Sequence, residues 1–254
     1  MTSIDHTSGL PAYRQIAEHL RTAITNGEYP SGSKLPSERQ LAAHYGVTQK
    51  TVREAISLLH SEGLVEARHG LGQFVREPTA QRLAYRRFRR ENRHAGRAAF
   101  HYELDQEGKQ GQVDTEVTRE PASAEVAGRL GLAEGDDTVV RRRHYWIEGQ
   151  PAKTSVSHLP ASIAGGTAIE QENPGPGGIY ARLEELGHHL DHFIEEINSR
   201  MPQPEEASFL QTGRGTPVFV LHRTAYDRDG RTVETYQSIM PADRYTLVYD
   251  VPAD

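Results

Sequence analysis

Gln49, Lys50 and Arg53 fall about one turn apart on one flank of the amphipathic stretch Gln49–Ser61, so a helix there presents all three together. In that setting an arginine can fork onto O6 and N7 of guanine, and a glutamine can pair with N6 and N7 of adenine. Thr48, Lys50, Thr51 and Ser37 are suited to phosphate oxygens. A second set lies in Thr138–Ile147, where strand alternation puts Arg141, Arg143 and Tyr145 on one face and Arg142 and His144 on the other. The run His188-His189-Leu190-Asp191-His192 concentrates metal-ligand side chains, but alternation separates His188 and His192 from His189 and Asp191. Surface histidines beside a turn are therefore expected, with no metal. Asn173–Gly178 (NPGPGG) precedes a helical pattern, which leaves an anion cradle at a helix N-terminus or a mobile loop, including a lid, open as readings. There is no cysteine, hence no thiolate nucleophile or disulfide, and no nucleophile-elbow, Walker or dinucleotide motif. No cofactor is expected.

The elements that must position these residues are legible in outline. Ala12–Asn26 carries an apolar stripe of Ile16, Leu20, Ala23 and Ile24, and Gly27 can end it. Ser37 followed by Gln40 fits a capping box ahead of a short helix, Glu38–Tyr45. Gly46 allows the tight turn, and Thr48 caps Gln49–Ser61, whose apolar set is Val52, Ala55, Ile56 and Leu59. Leu64–Arg68 and Gln73–Arg76 alternate as strands around His69-Gly70-Leu71-Gly72. From Phe100 the chain reads as strands separated by short helices. Helices are expected at Ser123–Leu130, Gly178–Leu186 and Pro204–Gln211. Strands are expected at Thr138–Ile147, Ala152–Leu159, Leu190–Arg200, Val218–Tyr226 and Thr232–Met240, with Thr246–Tyr249 closing the sheet. The predicted fold class is α+β: a helix-turn-helix unit over 10–76, a basic linker over 77–99 and an antiparallel-sheet domain over 100–252.

Charge divides along the same lines. The whole chain carries −6, which by itself argues against a nucleic-acid partner. Residues 1–76 are net +1, residues 77–100 net +5 and residues 101–254 net −12, so the acidity belongs to the C-terminal part. No run of about 18 apolar residues exists, and the first nine residues lack the order of a signal peptide. The expectation is a cytoplasmic protein with no membrane partner.

The N-terminal stretch resembles the DNA-binding domain of the GntR family of bacterial transcription regulators. The resemblance rests on Pro36-Ser37-Glu38-Arg39, Leu41-Ala42, Gly46-Val47-Thr48, Thr51-Val52-Arg53, Leu59, Glu62-Gly63-Leu64, and Gly70 with Gly72. It implies that Arg39 and Arg53 reach the operator and that His69-Gly70, at the tip of a wing, meets the minor groove. The remainder resembles the UTRA domain of the HutC subfamily. The matching residues are Leu130-Gly131-Leu132, Val140, Arg143, Gly149-Gln150-Pro151, Leu159-Pro160, Gly215-Thr216-Pro217-Val218, Arg223, Glu234, Tyr236 and Asp243-Arg244-Tyr245. It implies an effector pocket in which Arg143 pairs an anionic group and Glu234 accepts from hydroxyl or amine donors, flanked by Tyr236, Ser238 and Ser157. Three positions depart from the pattern of sugar-phosphate-sensing relatives: Tyr145 stands where a second arginine is common, Ser155 where a glutamate is common, and Met240 where a tyrosine is common. These departures favour a more apolar or singly charged ligand.

The resemblance implies a ligand-responsive regulator of transcription, a homodimeric repressor that leaves a pseudopalindromic operator when a small molecule binds. Two alternatives are activation in place of repression, and a chorismate-lyase-like enzyme fused to a DNA anchor, since the UTRA fold resembles that enzyme. One position makes a base-level prediction. Many GntR relatives place arginine or lysine where this chain has Gln49, and glutamine favours adenine over guanine. Binding-site selection is expected to yield adenine at the base pair read by Gln49, and Gln49→Arg should move that preference to guanine. An unchanged preference would contradict the assignment.

Overall fold

Ser37 and Thr48 fix where two helices begin. In the computed structural model, which describes residues 4–5, 7–68, 70–76, 81–84 (backbone), 100, 104–105, 107–213 and 215–249, the Ser37 hydroxyl accepts from the Gln40 amide, and the Gln40 side chain accepts from the Ser37 amide at 2.9 Å. This reciprocal box starts helix α2, Glu38–Tyr45. Gly46, in the left-handed region at φ 67°, turns the chain into Thr48, whose hydroxyl accepts from the Thr51 amide and starts α3, Gln49–Ser61. Helix α1, Ala12–Thr25, packs on α3 through Ile16, Ala17 and Leu20 against Val52, Ala55, Ile56 and Leu59. Each fully buried leucine or isoleucine there contributes roughly 1.5–3 kcal/mol of transfer free energy. Strands β1, Val65–Arg68, and β2, Gly72–Val75, form the antiparallel wing, and Lys34 bridges to Phe74 beside it.

The chain divides into two compact units, residues 1–80 with 211–217, and residues 81–210 with 218–254. The second unit is built on a six-stranded antiparallel sheet in the order β4-β5-β6-β9-β8-β7. Its strands are β4, Gly111–Pro121; β5, Asp137–Ile147; β6, Gln150–Pro160; β7, Leu190–Arg200; β8, Val218–Asp227; and β9, Thr232–Pro241. The helices α4, Ala124–Leu130; α5, Ala161–Ala164; α6, Gly178–Glu185; and α7, Pro204–Leu210, are distributed over its two faces. On one face α5, α6 and a 3₁₀ turn at Ala168–Glu170 bring Ala164, Ile169, Ile179 and Leu183 onto Val139, Leu159 and Ala225. On the other, Leu210 of α7 packs with Val218, Val220 and Ile239.

Besides the short helix α5 and the 3₁₀ turn, which the sequence pattern does not announce, two features of the strands differ from the sequence expectations. Strand β10, Tyr245–Val248, does not close the large sheet; it pairs in parallel with β3, Gln81–Ala84, inside the segment expected to be linker. A parallel partner more than 150 residues away leaves no local signal. Strand β4 was not expected either, although Val113, Thr115 and Val117 alternate; it is an edge strand whose residues are nowhere fully buried, so its pattern is weak. No helix among the described residues is long and apolar enough to cross a membrane.

Candidate functional sites

The first site is the exposed flank of α2 and α3. Arg39, Thr48, Gln49, Lys50 and Arg53 are exposed, Thr51 is half-buried, and Ser37 is exposed at the α2 N-cap. Packing explains why: with Val52, Ala55, Ile56 and Leu59 turned to the core, the start of α3 can only face outward. Among the described residues Arg39 and Lys50 have no ion pair. Arg53 does: its Nη2 lies 2.9 Å from Glu38 Oε2, so α2 holds the guanidinium of α3 in place, and that carboxylate raises the Arg53 pKa. Gly70 is exposed with φ at 71°, which a wing tip needs and most side chains resist. His69 lies outside the described residues.

The second site is one face of the large sheet. Register places Arg141, Ser157, Tyr236, Arg223 and Glu195 in one row across five strands. The next row is Arg143, Ser155, Ser238 and Leu221. Tyr145 and Lys153 are paired beyond it, and Glu234 and Met240 belong to the same alternating set on β9. All eight residues expected at the ligand site therefore share this face. Ser155, Ser157, Glu234, Ser238 and Met240 are almost fully buried, as are the rings of Tyr145 and Tyr236.

Their hydrogen bonds give the site its character. Tyr145 Oη lies 3.3 Å from Ser155 Oγ, and the Ser238 hydroxyl donates to the Thr154 carbonyl at 3.0 Å. Tyr180, from α6, donates to Glu234 Oε2 at 2.6 Å. Arg223 pairs with Glu195 at 2.7 Å, and its guanidinium lies 4.9 Å from the centre of the Tyr236 ring. Arg143 reaches Ser157 Oγ, at 3.5 Å, and the Tyr145 hydroxyl, and no carboxylate pairs with it among the described residues. Burial opposes the charge on Arg143, but Tyr145 and Glu234 outweigh it and hold its pKa above the ordinary value. Burial, and then Glu234, push the Tyr180 hydroxyl well above its usual range, so it remains a donor. Met240 contributes differently, packing with Leu221, Tyr236 and Tyr245 in an apolar cluster.

Several residues of this face were not singled out by sequence. Lys153 continues the period-two set of Ser155 and Ser157, so alternation alone could have found it. Tyr180 arrives from a helix and Glu195 from the outermost strand; neither carries a local signal. Arg141 points inward but serves the scaffold: it donates to the carbonyls of Ile169, Gln171 and Glu172, and burial, with Arg143 nearby, lowers its pKa to about 10. Together with Arg182, which donates to the Pro174 carbonyl at 3.1 Å, it ties down the chain around Asn173–Gly178. His188 binds Asp227 at 2.8 Å and His192 stacks on Tyr226.

Two family models match the chain: the gntR family of bacterial regulatory proteins over residues 12–75, and the UTRA domain over residues 112–246. The chain belongs to the GntR family of transcription regulators. An HTH-type transcriptional regulator of Streptomyces coelicolor is 34% identical over 94% of this chain and 92% of its own length. The HTH-type transcriptional repressor NagR of Bacillus subtilis is 29% identical over 97% of both chains. Among solved structures, a GntR-family transcriptional regulator superposes with a TM-score of 0.67 at 30% identity, covering 96% of this chain and 98% of that one. PhnF from Mycobacterium smegmatis superposes at 0.57 with 25% identity, over 94% and 99%. This GntR-family protein is thus a transcription regulator with a DNA-binding helix-turn-helix and a ligand-sensing UTRA domain.

The Glu38–Arg53 pair carries a prediction for this regulator. Glu38→Ala removes one negative charge beside the exposed α2–α3 flank and the carboxylate paired with Arg53. Non-specific DNA affinity should rise and specific affinity should not, so their ratio, measured by anisotropy on cognate and scrambled duplexes, should fall several-fold. A ratio equal to wild type would show that Glu38 plays no part in positioning Arg53.

Proposed function

We propose that the regulator is a homodimeric repressor that binds a pseudopalindromic operator through two winged helices and leaves it when a small molecule occupies the sheet-face site. The observation that carries the DNA half is the α2–α3 flank, where Arg39, Gln49, Lys50 and Arg53 stand outward together while their helices bury the opposite side. Arg53 would read guanine and Gln49 adenine, with Thr48, Lys50, Thr51 and Ser37 on phosphates and the His69-Gly70 tip on the minor groove. Two such heads match two half-sites about one helical turn, roughly 34–36 Å, apart.

The sensing half rests on the polar face of β5, β6 and β9. Arg143, Tyr145, Ser155, Ser157, Glu234, Tyr236, Ser238 and Met240 would line the effector site. Effector binding would favour an arrangement of the two heads that mismatches half-site spacing; the effector and the operator then oppose one another with equal coupling. NagR, a relative over nearly the whole chain, is named a repressor, and the other relatives are named regulators; this supports regulation over catalysis.

Arg39→Ala/Arg53→Ala tests the DNA assignment. On DNA flanking the gene, wild type is expected to shift one specific band as two protomers per site. The double variant should lose at least about 30-fold in specific affinity, the sum of two base-contacting arginines at about 1–3 kcal/mol each. Specific binding by the double variant would overturn the site.

A further inference from the structure

Lys153 is 8% exposed, yet among the described residues its ammonium has neither a hydrogen bond nor an ion pair. It lies 4.6 Å from the centre of the Tyr145 ring and 5.3 Å from that of Phe100. Phe100 and Tyr145 meet edge to face at 4.9 Å, so two rings wall the ammonium on its apolar side. Aromatic faces attract a cation but accept none of its three N–H bonds in the ordinary sense and cancel none of its charge.

The charge count on this sheet face sharpens the point. Five cations of the described strands project there: Arg119, at the edge and paired with Glu170, and Arg141, Arg143, Lys153 and Arg223, against two strand carboxylates, Glu195 and Glu234. Glu195 belongs to Arg223, and Arg141 is occupied by three backbone carbonyls. Glu234 is engaged by Tyr180. Arg143 and Lys153 remain, on adjacent strands, with Tyr145 and Ser155 between them and no carboxylate of their own. Buried charge is tolerated when it is paired, and an ion pair left half-made is strongly unfavourable.

We propose that Lys153 is an effector-binding residue, and that it and Arg143 together hold an anionic oxygen group of the effector, with the Tyr145 and Ser155 hydroxyls as additional donors. Glu234 then faces a hydroxyl or amine elsewhere on the same molecule. The inference rests on the reading of this face as the effector site and deepens it: the effector is an acid. It narrows the expectation of a more apolar or singly charged ligand, drawn from Tyr145, Ser155 and Met240, to an acid, because the cation absent at Tyr145 is supplied by its cross-strand neighbour.

The test uses the full-length protein with lysine labelled at ¹³Cε, which gives signals from Lys34, Lys50, Lys109 and Lys153 alone. Inorganic phosphate and malonate are titrated separately at constant ionic strength. The Lys153 signal is expected to shift saturably with one of them while Lys109 stays still; phosphate points to a phosphate ester, malonate to a carboxylic acid. Saturating anion should also raise the melting temperature of wild type and of Lys153→Arg. In Lys153→Met that rise should vanish, and the anion-free melting temperature should match or exceed wild type, since a buried unpaired charge is gone. A Lys153 signal indifferent to both anions, or an anion-induced rise kept in Lys153→Met, would overturn the proposal. Loss of anion-free stability in Lys153→Met would also overturn it, by making the lysine a structural group. Operator affinity is read in the same samples: occupancy of Lys153 without any change in DNA binding would support the lysine assignment and count against the sensing reading.

Discussion

Buried charge is the constraint on which the C-terminal unit depends. Arg141, Tyr236, Arg223 and Glu195 meet in one row only because five strands keep their register, and a slip of one residue in any strand would turn its members to the opposite face. The apolar end of the same face is sealed by Ile169, Ile179 and Leu183, so the polar groups are cut off from water and must satisfy one another. Arg223 with Glu195, and Tyr180 with Glu234, do so. Arg143 and Lys153 have no carboxylate partner among the described residues, and that deficit is what supports the proposal of a binding site on this face.

The N-terminal unit follows the opposite logic. Its charged side chains are displayed, and its core is small and wholly apolar, with Ile16, Val52, Ala55 and Leu59 inaccessible to solvent. The contrast explains the overall charge. A net −6 is an average over +6 in residues 1–100 and −12 in residues 101–254. The acidic part repels a duplex in general, so attraction is confined to the helix-turn-helix, and affinity should be specific and steeply salt-dependent.

How much of this was legible follows from what each element depends on. Helices α2 and α3 could be placed to the residue because Ser37, Gly46 and Thr48 are local stop and start chemistry. Strand β7 was placed equally well from Leu190 to Arg200. The inner-face set of Arg141, Arg143 and Tyr145 follows from period two alone. What could not be read was partnership. Nothing near Tyr245 announces that it pairs with Gln81, nothing near Tyr180 announces Glu234, and the lack of a partner for Lys153 is visible only when every neighbouring strand is in place.

The proposed regulation turns on one coupling: what binds the sheet face would change what the helix-turn-helix binds. The direct measurement is operator affinity, by anisotropy, with and without a compound that raises the melting temperature of the full-length protein, drawn from a panel of phosphate monoesters and hydroxy acids. Such a compound should weaken operator binding at least tenfold, and Arg143→Met should abolish both its stabilising effect and the loss of DNA affinity while leaving ligand-free operator binding intact. A compound that stabilises the protein through Arg143 and leaves operator affinity untouched would contradict the account.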